Sequence, residues 1–327
     1  MQTSRQLVTA AIEFTKPDRL PVVFHAFGIS DVQNAGWNQI GTGDHAQKHT
    51  YDEWGCGWSR SDVKNMGLVN EHPLLDWSQL DSYRWPDPDR PANFEGMEKR
   101  LENPQDKYLT TGIFMLLFER MHALHGFENT LTDLYLEREK VEMLADRIVA
   151  FDLAMIKNIS SRFPGMIHGF EFTDDWGTEL QLMINPNLWR EFFKPRYKIL
   201  FDACHEAGWH VWMHSCGKVN AIIGELIDIG LNVINLQQPT ILGIEEVGRQ
   251  YAGKICFLSL CDIQKTLPFK DAEAIEEEAK LLISCWGTSR GGFILGDYGD
   301  GEAINVPLWK KQVMFDAFIK ADRWIKR

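Results

Sequence analysis

A histidine and a cysteine two residues apart are the most chemically loaded pair in this chain. His214 and Cys216 close the stretch H-V-W-M-H-S-C-G at 210–217. Val211, Trp212 and Met213 form a short apolar run that delivers both to a strand end, and Gly217 frees the backbone to turn. At an i, i+2 spacing on extended backbone, an imidazole nitrogen and a thiolate point to the same side. Nitrogen plus sulfur suits zinc, which needs further ligands to complete a site. The sequence holds other polar groups at strand ends: Glu171, Asp174 and Asp175 in F-E-F-T-D-D-W-G, Gln237, Cys261 with Asp262, and Asp297, Asp300 and Glu302 in the loop after 291–295. His25 and Phe27 follow the first apolar run at 20–24, and Cys56 lies between Gly55 and Gly57, where backbone can pass close to a ligand.

The elements that must position these residues show one rhythm. From residue 107 onward, short unalternated apolar strands are each followed by a loop and a helical stretch, the pattern of parallel strands covered by helices. Strands are expected at 107–111, 166–172, 210–214, 233–236, 255–260 and 291–295. Helices are expected at 141–159, 186–208, 219–229, 244–251, 272–286 and 308–325. With the run at 20–24 and a strand near 54–58 the count reaches eight. That predicts a single distorted (β/α)8 barrel of the TIM type spanning 1–327, with extra loops and helices in about 28–107. No G-x-G-x-x-G follows a strand, which disfavours a dinucleotide fold. In such a barrel the chemistry sits at the C-terminal ends of the strands, where all the polar groups named above fall.

The totals narrow the function. A chain of 327 residues that is 44% hydrophobic can bury a full core. Its net charge of −12 argues against nucleic acid and anionic membranes as partners. No apolar run is long enough for a membrane span, and the N-terminus lacks a signal-type apolar segment. The six cysteines show no C-x-x-C pair and no framework spacing. Together these predict a cytoplasmic protein with free thiols. The aromatics before position 100, Trp54 among them, can line a pocket or fill a core.

Several blocks, in order along nearly the whole chain, resemble the uroporphyrinogen decarboxylase superfamily: S-R-Q-L-V-T-A-A-I-E-F-T-K-P-D-R-L-P-V, L-F-E-R, F-T-D-D-W-G-T-E, M-H-S-C-G-K-V, I-D-I-G-L-N-V-I-N-L-Q-Q-P and G-G-F-I-L. The resemblance implies a distorted (β/α)8 barrel. True decarboxylases of that superfamily grip substrate carboxylates with R-Q-A-G-R near the N-terminus, whereas this chain has F-H-A-F-G-I-S-D. The chain therefore looks closer to the cobamide-dependent methyltransferases, with a metal-free carboxy-lyase as the alternative. In that branch a His-x-Cys after the fifth strand and a cysteine after the eighth hold zinc. His214 and Cys216 match the first two. No cysteine lies in 296–307, and Asp300 falls nearest the missing one, with Cys261, Glu171 and Asp297 in reserve.

A harder, more oxygen-rich ligand set favours demethylation of a small O-methyl compound over activation of a thiol. The resemblance also implies a corrinoid carried by a separate protein, since no D-x-H-x-x-G motif is present here. Catalytic roles are expected for Glu171, Asp174 and Asp175, with Asp174 or Asp175 fixing the tautomer of His214. Substrate contacts are expected from His25, Phe27, Trp54, Gln237 and Tyr298. A homodimer is compatible with this reading.

Overall fold

The computed structural model describes residues 2–38, 48–62, 67–102 and 105–322. Eight strands form the barrel: β1 Val22–Phe24, β2 Val32–Asn34, β3 Tyr108–Ile113, β4 Gly169–Thr173, β5 His210–His214, β6 Val233–Leu236, β7 Cys256–Ser259 and β8 Phe293–Gly296. They pair in parallel around the ring from β2 through β3, β4, β5, β6, β7 and β8 to β1. The (β/α)8 expectation is met.

The ring is bridged between β1 and β2 by a side chain. Ile29–Ser30 doubles back on β1. Asp31 then accepts the Val22 N–H at 2.9 Å and donates its own N–H to the Val22 carbonyl at 2.7 Å. Its carboxylate also takes both guanidinium nitrogens of Arg19 at 2.7 Å and the Ser4 hydroxyl at 2.6 Å. A bidentate pair of this kind is directional as well as strong.

Helix α1, Ser4–Ile12, begins with a capping box in which Thr3 and Gln6 exchange hydrogen bonds. Its apolar face closes the barrel floor. Val8, Ala11 and Ile12 pack with Tyr108, Trp212 and Val233 in a small core of their own. The remaining helices include α2 Phe118–His125, α3 Phe127–Leu136, α4 Arg138–Arg162, α5 Lys194–Glu206, α6 Asn220–Asp228, α7 Ile244–Tyr251, α8 Ala272–Trp286 and α9 Leu308–Asp322.

Two sequence expectations are corrected. The strand near 54–58 is not part of the barrel. Gly57–Ser59 is the middle strand of a separate antiparallel sheet with His49–Tyr51 and Leu68–Glu71, and Val32–Asn34 takes the second barrel place. With only three residues, that barrel strand carries too short a pattern to stand out. The helix expected over 186–208 is interrupted. Pro186–Leu188 leads into a wide turn at Trp189–Phe193 before α5 starts, with Pro195 in its first turn. Proline lacks the N–H that a continuous helix would use, and a local widening absorbs the mismatch.

Candidate metal centre

The carboxyl ends of β4 and β5 are joined tightly enough to bring three donor groups together. Past the strand ends, Cys216 donates its N–H to Asp175 Oδ1 at 2.7 Å. Gly177 donates to the Cys216 carbonyl at 3.1 Å, and Lys218 to the Thr178 carbonyl at 2.8 Å. Ser215 Oγ accepts the Trp176 N–H at 3.1 Å, and Gln238 Oε1 accepts the Gly217 N–H at 2.6 Å. The approach needs two glycines. A Cβ at Gly177 would lie 2.4 Å from Lys218 N, and one at Gly217, where φ is +80°, would lie 2.1 Å from the Gly177 carbonyl oxygen.

As a result, His214 Nε2 stands 3.3 Å from Cys216 Sγ and 3.7 Å from Asp175 Oδ1. One donor atom from each of Asp175, His214 and Cys216 falls within 4.8 Å of the others. Four ligands at zinc bond lengths of about 2.0–2.3 Å put neighbouring donors about 3.3–3.8 Å apart, and both separations from His214 match that spacing. Burial pushes the Cys216 thiol up, and the Asp175 charge adds to the effect. A divalent cation among the donors reverses that balance. The centre opens into a cavity of about 570 Å³ that Phe114, Trp212, Asn235, Gln237 and Tyr298 help to line.

Glu171 faces this cavity from deeper in the barrel, one two-residue repeat below Thr173, and burial raises its pKa against the pull of the Thr110 hydroxyl. Asp174 points the other way. Its buried carboxylate accepts the N–H groups of Leu117, Phe118 and Glu119 at 3.2, 2.9 and 2.7 Å, and the Tyr197 hydroxyl donates to it as well. It therefore anchors the start of α2, and burial raises its pKa to about 6. Neither Asp174 nor Asp175 fixes the His214 tautomer from its far nitrogen. Nδ1 is buried without a hydrogen-bond partner among the described residues, and Asp175 lies on the Nε2 side.

Asp300 is exposed and accepts the N–H groups of Glu302 and Ala303 at 3.1 and 3.2 Å, outside the three-donor cluster. The reserves are also occupied elsewhere. Asp297 pairs with Lys311 at 2.9 Å, and the Cys261 thiol donates to the Ile275 carbonyl at 3.5 Å. Gln237 and Tyr298 line the cavity, and His25 lines its deeper extension. Phe27 stacks on Phe24 with ring centroids 5.0 Å apart. Trp54 is core, edge-on to Phe151 at 4.8 Å and beneath the Arg120 guanidinium at 5.0 Å.

Glu119 and Asn235 were not anticipated at the site. Glu119 accepts the Asp175 N–H, and its second oxygen is buried beside the cavity without a partner. Burial, with the charges of Asp175 and Asp174, raises its pKa well above the ordinary carboxyl range. L-F-E-R marked its stretch; nothing in the local pattern showed that α2 would start against the acids after β4.

With this geometry in place, comparison with known proteins decides the family. The sequence profile described as Uroporphyrinogen decarboxylase (URO-D) matches residues 72–320. The chain belongs to the uroporphyrinogen decarboxylase family. No curated protein sequence matches it. Among solved structures, a methyltransferase from Methanosarcina mazei superposes with a TM-score of 0.67 at 13% identity, covering 99% of each chain. Xylanase 10B from Thermotoga maritima gives 0.44 at 12% identity, over 97% of this chain and 99% of that one. At 13% identity the likeness to the methyltransferase is one of fold. No helix among the described residues is long and apolar enough to cross a membrane.

Proposed function

We propose that this protein is a zinc-dependent methyltransferase that moves a methyl group from a small O-methyl substrate to the cobalt of a corrinoid carried by a separate protein. The observation that carries the reading is the Asp175–His214–Cys216 cluster at the mouth of the barrel cavity. The full-length likeness to the Methanosarcina methyltransferase agrees with it. Asp175, His214 and Cys216 would hold the ion, which supplies Lewis acidity toward the substrate heteroatom when bound.

The chain's own residues do the rest. The paired glycines hold Asp175 and Cys216 in register. Glu119 accepts the Asp175 backbone N–H and leaves its second oxygen without a partner beside the cavity. Tyr298, half-buried on the loop after β8, lines the same cavity and feels the charge of Cys216. The corrinoid partner would approach over this open end.

A carboxy-lyase acting without metal is the second reading, favoured by the family's other chemistry. Against it, none of the described residues lining the cavity is Lys or Arg, so a polycarboxylate would find no free cation there.

The test is metal analysis of the purified protein together with conversion of cob(I)alamin to methylcobalamin, followed by absorbance with methyl ethers as donors. One zinc per chain, lost in Cys216→Ala, and methyl transfer are expected. A folded, metal-free protein that releases carbon dioxide from an acid substrate would overturn the reading.

A further inference from the structure

The cavity continues below the metal centre into a chamber of about 170 Å³ on the barrel axis. Glu171, Trp212, Asn235, Gln237 and Leu258 belong to both spaces. The chamber is closed beneath by the Trp212 layer on α1 and is large enough for a group of a few heavy atoms.

Its charged groups are unbalanced toward the negative. The Glu171 carboxyl lies deep in the wall beside the Thr110 hydroxyl. Asn235 Oδ1 is buried and has no hydrogen-bond partner among the described residues. No Lys or Arg lines the chamber, and its second acid, Asp297, is already neutralised by Lys311 at 2.9 Å. The nearest acids above it are Asp175 and Glu119. Trp212 also lines the chamber, its indole N–H buried without a hydrogen-bond partner among the described residues. A buried acid and an orphaned carbonyl are costly unless a donor meets them. An ammonium is all donor, with three N–H groups and no acceptor. An anion would find neutral donors there, the amides of Asn34 and Gln237 and the Thr110 hydroxyl, but no Lys or Arg to offset its charge beside Glu171.

We infer that the chamber is a recognition site for a small organic ammonium, held between Glu171 and Asn235, and that the substrate is a small methyl ether bearing an amine. The methyl-bearing end would lie about 7 Å higher, one strand repeat up, where His214 pairs in register with Thr173. The inference rests on the methyltransferase reading for the methyl group; the ammonium site itself does not need it.

Isothermal titration of the purified protein tests the site, with 3-methoxypropylamine, 3-methoxypropanol and 3-methoxypropionate as probes. The amine is expected to bind about tenfold or more tightly than either isostere. Glu171→Gln should remove about tenfold of the amine's affinity and leave the alcohol unchanged. Asn235→Leu is measured in parallel, with circular dichroism on both variants, so that misfolding of one leaves the other to decide; it too should weaken the amine selectively. Equal or tighter binding of the propionate, unchanged amine affinity in the folded variants, or no binding of any probe overturns the inference. Loss of amine preference with one zinc per chain sinks this inference alone. A metal-free protein that still prefers the amine sinks the methyltransferase reading alone.

Discussion

Replacing Asp175 by asparagine separates the ligand set proposed on the donor cluster from the one the family resemblance suggests. The amide oxygen of asparagine can still accept the Cys216 N–H, which Asp175 takes at 2.7 Å, so the link between β4 and β5 survives and the fold should change little. What is lost is the anionic oxygen 3.7 Å from His214 Nε2. With thiolate and carboxylate present, a divalent ion is neutralised; with the amide it keeps one uncompensated positive charge in a half-buried site. Removing partners one shell further out typically costs 10–100-fold in metal affinity, so losing a direct ligand should cost about a hundredfold or more, or about 2.7 kcal/mol. Competition with a chromophoric chelator measures this, alongside zinc content by mass spectrometry. Asp300→Asn is the matched control, because Asp300 is exposed and caps its own turn through Glu302 and Ala303. An asparagine at 175 that binds zinc like the native protein, with the loss appearing at 300 instead, would refute the assignment.

Gly217→Ala should lower unfolding stability by about 2–4 kcal/mol and reduce zinc retention with it, because the new Cβ meets the Gly177 carbonyl at a positive φ; an unchanged urea midpoint would contradict the glycine contact. Arg120→Met leaves Asp52, whose side chain is fully buried, without the cation 2.8 Å away. Urea unfolding should show a loss of about 3–5 kcal/mol, partly recovered when Asp52→Asn is added. Burial, aided by the nearby charges of His72 and Arg120, lowers His122 from 6.5 to about 4. Between those values the unfolded chain takes up a proton that the folded state refuses. Stability should therefore fall as pH drops through that window, and His122→Phe should flatten the slope in pH-dependent thermal melts.

The barrel was legible because parallel strands buried on both faces leave unalternated apolar runs, and six of them, from 107 onward, stand apart from helical stretches. The second barrel strand escaped because Val32–Asn34 is three residues long, while Trp54 to Trp58 looks more strand-like. Those tryptophans are held by a buried polar anchor: Asp52 accepts the N–H groups of Trp54 and Cys56 and the indole of Trp58. No pattern in the sequence marks Asp52 as the partner of Arg120, 68 residues away. At the site, His214 and Cys216 were found from spacing. Asp175 was singled out as an acid, but its place beside them depends on how closely two strand ends approach, which Gly177 and Gly217 control.

The acid within β4 and the two just after it follow from one rule applied past the end of the strand. Side chains on extended backbone alternate faces, so Glu171, Thr173 and Asp175 point into the barrel while Phe172 and Asp174 point toward the helices. Asp174 accordingly caps α2, Glu171 enters the chamber, and Asp175 reaches the donors of β5. The same alternation puts Trp212, His214 and Cys216 in one file on the next strand. A centre built from two adjacent files lies against one side of the barrel mouth. It needs nothing from the loop after β8, where the resemblance located a third ligand. That loop is then free to carry Tyr298 to the cavity lining, and Asp300 is free to shape its own turn. The proposed metal donors and the acid proposed to receive the substrate's charge thus descend from the same two strands, one repeat apart. A substitution that shifts the register of β4 against β5 should therefore disable metal retention and amine preference together.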